Sequence, residues 1–574
     1  MLQALQVNEL TGAVWSLVTS DGAISVDAAG VKDARSGEVL SPGAQVHVGS
    51  VTKTLLAAGI LRLVTEGKLT LDTPVAEYLP DLAFDNPWHA SDPIRLRHLL
   101  DHTAGLDDAR FWQVFSLKPQ PDTPLSEAFS GNPALLRVRS RPGSRFSYSN
   151  MGYTLIGMVI ESVTRERYES YLDAHLLKPL GMRDSTFAFV SQEGPSADPR
   201  LAMGHFEGGA VQPSVPVYLR PSMQFTTTAH DMALFSRFLM SDGRIDGETF
   251  IDAKLLHAMG QPFGTDAASA GLSVGYGLGL ARRDRHGVIG ECHSGNTIGY
   301  RAMLCTFPQQ QKAFFVAVNA DSETADYERF NALLVNALDI AAIPPAKIGE
   351  PLDEVSSWTG VYIPSPNRFA SFDWLDTVLS FVHVSWDGSS LQSRSLQAGS
   401  KSLVPVGDAL FRAPDRVAAS HVLHRSPGGA RVFSDGLQSY ERISLAKIVP
   451  LWTSFCAGVM GFVFILFAGL VRVVRRRLTL ETLVPFIAVT ALLLPLPLFF
   501  RQSFLQLGDV TSASVTLAIA TAILPPGMLA GLVLQWRSRA SGLVAFLDIA
   551  AMVVVLQWTI VLAAWGLLPL RLWQ

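Results

Sequence analysis

The sequence predicts an α+β domain over residues 1–342, a small β domain or spacer over 343–445, and a region of four transmembrane helices over 446–574. Three observations predict it. Apolar residues recur at helical spacing in Val51–Glu66 and Met151–Ser162, whereas Gly287–Cys292 and Tyr300–Phe307 read as β-rich runs. A Pro-rich linker, Ile343-Pro344-Pro345, leads into short alternating strands with Gly-rich turns. After Val449 the chain is mostly apolar, which lifts the mean hydropathy of all 574 residues to +0.25. The net charge of −4, with no strongly basic stretch before the apolar region, leaves no nucleic-acid footprint.

The first helix opens with Ser50-Val51-Thr52-Lys53. Three residues apart on a helix, the hydroxyl and the amine share a face. A serine is a poor nucleophile until a base takes its proton, and a partly desolvated lysine can do so. The tetrapeptide by itself fits equally a capped helix with a solvated lysine. Turn chemistry at Arg141–Gly143 then puts Tyr148 on a loop before the second helix. A phenol beside a lysine ammonium is expected to have its pKa lowered and to shuttle protons. Asn150 brings an amide with both donor and acceptor, suited to a substrate carbonyl. His293-Ser294-Gly295 follows a β-rich run, Gly295 and Gly299 fit an open hairpin, and His293 is suited to a substrate carboxylate or carbonyl. His98 and His102 stand at i, i+4, but no Glu follows the first as in H-E-x-x-H, and no metal is expected.

Taken in order, these elements resemble the serine β-lactamase and penicillin-binding-protein superfamily, in the branch of class C β-lactamases, D-Ala-D-Ala carboxypeptidases, esterases and D-aminopeptidases. His98-Leu99-Leu100-Asp101-His102-Thr103-Ala104-Gly105-Leu106, Lys178-Pro179-Leu180-Gly181-Met182 and Tyr276-Gly277-Leu278-Gly279 carry further family segments. The resemblance covers about Gly12 to Ala342. It implies a β-lactamase/transpeptidase-like fold, an antiparallel sheet with helices on both faces plus a helical subdomain. It also implies an acyl-enzyme on Ser50, with Lys53 and Tyr148 sharing the proton work in an order left open. The oxyanion would meet the backbone N–H groups of Ser50 and Asn296, and Asn150, His293, Ser294, Gly295 and Asn296 would bind the substrate, a small peptide, amide or ester. No cofactor is implied.

Three departures qualify this. His293 stands where penicillin-specialised members carry lysine, which weighs against a dedicated β-lactamase and towards a peptidase or amidase on D-amino-acid-containing substrates, with an esterase or weak β-lactamase of the same fold as the alternative. Pro221–Thr228 lacks the usual Gly-Gly turn before Asp231-Met232-Ala233-Leu234-Phe235. The N-terminal helix that normally packs on the C-terminal one, expected here over Glu323–Ala342, is short or missing, which suggests an upstream segment. A penicillin-binding-like sensor, signalling acylation through the membrane helices, is the non-catalytic alternative.

In the 343–445 region, Val378–Trp386 and Ala430–Phe433 read as strands of a small β-barrel of the kind appended to some family members, either a cap on the active site or a spacer. Four apolar stretches follow, Val449–Val471, Leu483–Phe500, Ala513–Trp536 and Leu543–Leu570, each near or above the ~20 residues that cross a bilayer. Pro495, Pro497, Pro525 and Pro526 should kink the second and third. Arg472, Arg475, Arg476 and Arg477 follow the first span and Arg537 and Arg539 the third. The loop between the second and third has only Arg501, so the positive-inside rule puts the globular part outside the cytoplasm of a bacterial inner membrane. Asp548 is the acid within the spans, either functional or paired to another helix. Cys292 and Cys305 flank the expected hairpin, with two separate buried thiols expected rather than a disulfide.

Overall fold

In the computed structural model, which describes every residue except Ala398 and Ala540, the first domain is built on an eight-stranded antiparallel sheet. In chain order the strands are β1 (Gly12–Val18), β2 (Ile24–Asp33), β3 (Glu38–Val39), β4 (Gly275–Tyr276), β5 (Ala281–Arg285), β6 (Val288–Thr297), β7 (Tyr300–Phe307) and β8 (Lys312–Val318). Their spatial order is β4-β5-β6-β7-β8-β1-β2-β3. Both faces of the sheet are covered, so its middle strands read as unbroken apolar runs. In β8, Phe315 and Ala317 join the core shared with the helices Thr52–Thr65 and Ala229–Leu239. Phe314, Val316 and Val318 face the opposite way, towards the helices Leu2–Val7 and Glu328–Ala337. The N-terminal helix is short, as expected, at six residues, and its Ala4 and Leu5 share a core with Phe330 and Leu334 of the C-terminal helix, which is shorter than its expected span.

Three expectations are corrected here. The β-rich run does not stop at Cys292: β6 runs on through His293-Ser294-Gly295 to Thr297, because Ile298 and Gly299 make a two-residue turn with Gly299 at φ +78°. Cys292 and Cys305 are not separate thiols. Strand register sets them directly opposite, with Cα atoms 4.1 Å apart, and they form a disulfide. In the second domain, the segment read as a strand from Val378 begins inside a helix, Asp373–Leu379, and the strand starts at Val382.

The second domain is a closed eight-stranded antiparallel barrel from Gly360 to Ile443. Tyr362, Val384, Leu391, Leu403, Phe411 and Phe433 are among the residues filling its interior. Beyond it lie four helices long and apolar enough to cross a membrane: Leu445–Val474, Leu480–Phe499, Ser512–Ser538 and Leu543–Ala564. The second breaks after Thr490 and the third at Ile523, a few residues ahead of Pro495 and Pro525, where each ring displaces the preceding turn. Asp548 is paired across helices, both its oxygens accepting from Arg472 Nη2 at 2.9 and 2.8 Å.

The membrane region is also seated against the globular part. Asp509 accepts from Ser116 Oγ at 2.6 Å and from Leu117 N at 3.1 Å, and Gly508 N donates to the Phe115 carbonyl at 2.8 Å. A Cβ on Gly508 would lie 2.2 Å from Trp112 Cα, so only glycine permits this approach. Trp452 Nε1 donates to the Val378 carbonyl of the barrel domain at 3.1 Å. The loop between the second and third helices thus lies on the same side of the helices as both globular domains, the arrangement that the arginine distribution requires.

Candidate active site

Ser50 sits on a single 3-10 turn, Gly49–Val51, at the head of the helix Thr52–Thr65. Two glycines let this turn meet β6. A Cβ on Gly49 (φ +52°) would lie 2.6 Å from the Asn296 carbonyl, and one on Gly295 would lie 1.8 Å from Val48 O. The contact sets the backbone amides of Ser50 and Asn296 beside each other. Thr297 and Tyr300 close the two-residue turn and form a hydrogen-bonded pair, so Asn296, opposite Arg301, is in the non-bonded position. Its N–H points away from β7, towards an open edge, since β5 pairs with β6 only as far as Cys292. An extended substrate backbone can lie along that edge. Strand alternation turns His293 and Gly295 inward and leaves the Ser294 and Asn296 side chains exposed.

Lys53 is completely buried, and its amine has three partners: Ser222 O at 2.7 Å, Asn150 Oδ1 at 2.8 Å and Ser50 Oγ at 3.0 Å. Burial pushes its pKa well below the ordinary lysine value; Asp108 opposes that shift and Arg368 adds to it. A neutral amine has two N–H groups and one lone pair. The two carbonyl oxygens can only accept, so they take both N–H groups and the lone pair is left for the Ser50 hydroxyl. Tyr148 Oη donates to Ser50 Oγ from the other side at 2.8 Å, and its ring lies 4.9 Å from the Lys53 amine. Contrary to the sequence expectation, desolvation raises the Tyr148 pKa and outweighs the lowering by its Ser50 hydrogen bond and by Arg368. The serine thus stands between a lysine shifted towards its basic, neutral form and a tyrosine held in its acid form.

Asn150 heads the helix Asn150–Thr164, which Ser149 caps by accepting from Gly152 N. Its amide is engaged at both ends: Oδ1 accepts from Lys53 and Nδ2 donates to Asp108 Oδ1 at 2.9 Å. It therefore positions the lysine, and a substrate amide would have to share it. His102 packs its ring 4.2 Å from that of Tyr148 and accepts from Ser149 N at Nδ1, bracing the loop that carries the phenol. His293 is buried and neutral, its pKa pushed down to about 3, first by burial and then by Lys53. Its Nδ1–H is spent on the Ser294 carbonyl at 2.7 Å, so Nε2 carries a lone pair, and it has no hydrogen-bond partner among the described residues. Such an imidazole accepts from a substrate N–H or O–H; it does not donate to a carboxylate.

Ser50, Tyr148, Asn150, His293, Gly295 and Asn296 line one cavity of about 780 Å³. The barrel domain closes part of its rim with Pro366, Arg368, Leu437 and Gln438. Arg368 and the buried Asp108 escaped the sequence reading. Asp108 had a weak signal, as the second of two consecutive acids just after His98–Leu106. Arg368 had none, because only tertiary structure carries it across from the second domain.

The comparisons with known proteins agree with the fold. The family model described as Beta-lactamase matches residues 6–337. Protein flp of Staphylococcus aureus (strain MW2) is 25% identical over 341 residues, 58% of this chain and 64% of that protein. Esterase EstB of Burkholderia gladioli is 32% identical over 235 residues, 39% of this chain and 56% of the esterase. The matches thus span less than two thirds of either relative. The crystal structure of SurE with D-Leu is 25% identical with a TM-score of 0.51 and covers 77% of this chain and 97% of that chain, a larger share of this chain than residues 6–337 supply.

Proposed function

The chain belongs to the Beta-lactamase family, a family of serine hydrolases, and we propose that it is a membrane-anchored hydrolase working through an acyl-enzyme on Ser50, most of all a peptidase or amidase on D-amino-acid-containing substrates. The observation that carries the reading is the pair of contacts on Ser50 Oγ, Lys53 Nζ at 3.0 Å and Tyr148 Oη at 2.8 Å, beside a buried lysine whose pKa is lowered. As Oγ attacks the substrate carbonyl carbon, its proton passes to Lys53 Nζ. The carbonyl oxygen, now an anion, is held by the N–H groups of Ser50 and Asn296; losing one such donor typically costs about a hundredfold or more in rate. When the intermediate collapses, the leaving amine or alcohol takes the Tyr148 proton, and the Lys53 ammonium restores it. Water attacking the acyl-enzyme repeats the sequence and frees the acid.

Three observations support the finer terms. The His293 lone pair faces the cavity and favours substrates that present an N–H near the scissile bond, while Arg283, Arg285, Arg301 and Arg368 also line the cavity. A structural relative was solved with D-Leu. The Cys292–Cys305 disulfide and the arginine-rich exits of the first and third helices support an extracytoplasmic site in an oxidising compartment. Identity to an esterase favours ester cleavage as the second reading. A hydrolysis panel tests the choice, with D- and L-aminoacyl p-nitroanilides, p-nitrophenyl esters and nitrocefin on the full-length protein in detergent. D-aminoacyl amides are expected to give the highest kcat/KM, with turnover lost in Ser50→Ala. Turnover of esters alone would replace the amidase reading, and wild-type rates in Ser50→Ala would end the Ser50 assignment.

A further inference from the structure

We propose that Arg368, carried by the barrel domain, is a positioning residue of the catalytic centre, holding the Lys53 amine in its working state through Asp108 and Asn150. The proposal rests on the reading of Lys53 as the base for Ser50.

A continuous chain of contacts makes the link. Arg368 Nε donates to Asp108 Oδ2 at 2.6 Å. The other Asp108 oxygen accepts from Asn150 N at 2.7 Å, Asn150 Nδ2 at 2.9 Å and Ala109 N at 2.8 Å. Those bonds fix which way the Asn150 amide faces: its NH₂ is turned to the carboxylate, so its oxygen is turned to Lys53. The Asp108 side chain has no solvent exposure, and Arg368 is its one ion-pair partner among the described residues. The same guanidinium lies 4.7 Å over the Tyr148 ring. One barrel residue thus touches the supports of both the base and the acid.

The segment that delivers it is pinned independently. Arg139 donates to Asn367 Oδ1 at 2.8 Å, to Asn367 O at 2.9 Å and to Arg368 O at 3.0 Å. Ala370 N donates to Asp107 Oδ1 at 2.8 Å, and Asp107 is itself paired with Arg110 and Arg139. The consecutive acids divide the work: Asp107 receives the barrel backbone and Asp108 the barrel cation.

Without Arg368 the buried Asp108 would lose its one ion-pair partner among the described residues, and its pull on the Lys53 amine, reached through Asn150, would go unopposed by the guanidinium. Lys53 would then hold a proton to higher pH and lose the lone pair that Ser50 needs. Around the amine stand Asp108, Arg368, His102, His293, Tyr148 and Tyr153. Of these, Asp108 favours its ammonium, Arg368 opposes it, and the two histidines are themselves held neutral by burial.

The test follows Ser50 acylation by an uncharged fluorophosphonate probe on the full-length protein, from pH 5 to 9, in wild type, Arg368→Gln, Arg368→Lys and the double variant Arg368→Gln/Asp108→Asn. The acidic limb of the rate is expected to move up by about one pH unit or more in Arg368→Gln, a tenfold loss below the limb. It should stay near wild type in Arg368→Lys and return towards wild type in the double variant, which removes both charges. The Arg368 side chain is 47% exposed, so Gln there is expected to leave the melting temperature near wild type, and Arg368→Lys guards against misfolding as the cause of a loss. An unmoved limb in Arg368→Gln overturns the proposal. So does a loss seen only as a higher KM for anionic substrates, which would make Arg368 a binding cation instead. A wild-type protein that fails to label at Ser50 would refute the parent reading, whereas normal labelling with an unmoved limb refutes this inference alone.

Discussion

Burial does most of the chemistry at the residue scale. Lys53, His102 and His293 are all driven towards their neutral forms chiefly by desolvation. Ser50, Lys53 and Tyr148 were legible in the sequence because their chemistry is tied to residue type and order. The state of the tyrosine was not, since it depends on whether the neighbouring lysine is charged, and only packing decides that. The same physics has a cost away from the site. His47 is buried against Thr226, and desolvation lowers its pKa to about 4. An unfolded His47 binds its proton near 6.5, so its share of stability is complete above that value and drains away as the pH falls towards 4. Asp101 acts in the opposite sense: burial raises it to about 7, so its share is complete below about 4 and is lost as pH rises through 7. Thermal midpoints of His47→Gln and wild type, compared at pH 7.5 and 5, should show a smaller acid-induced drop in the variant. Equal drops would remove His47 from the account.

At the scale of elements, the decisive contact is β6 against the Ser50 turn. The sequence marked Gly295 as a point of close approach and put His-Ser-Gly at the end of a β-rich run, short of the strand's true end at Thr297. The Ile298-Gly299 turn lies beyond it, and the strand continues so that Asn296 N–H can face the open edge. Gly295→Ala is therefore expected to fold, since β6 keeps its register with β7, yet to push the strand away from Val48 and open the oxyanion hole. Acylation should fall by about a hundredfold or more with little change in the melting temperature. A variant that acylates at the wild-type rate would show that the two amides do not act together.

In the whole molecule, two further parts are built onto the family domain, and the barrel touches it at the site. The membrane helices were legible from apolar length, whereas the seat of Asp509 on Ser116 and Leu117 was not, because it joins residues almost 400 positions apart. The barrel likewise showed its strands but not its partner, and its contribution to the rim of the cavity exists only once the domains are docked. The central claim, that a neutral Lys53 activates Ser50 in this assembled protein, is tested most directly by intact-protein mass spectrometry of the full chain in lipid nanodiscs after timed exposure to a fluorophosphonate. The account predicts a single adduct on Ser50 whose rate of formation is sustained at neutral pH and falls as Lys53 is protonated on acidification, with a loss of about a hundredfold or more in Lys53→Met. An adduct on another residue, or a Lys53→Met protein that labels Ser50 at the wild-type rate, would contradict it.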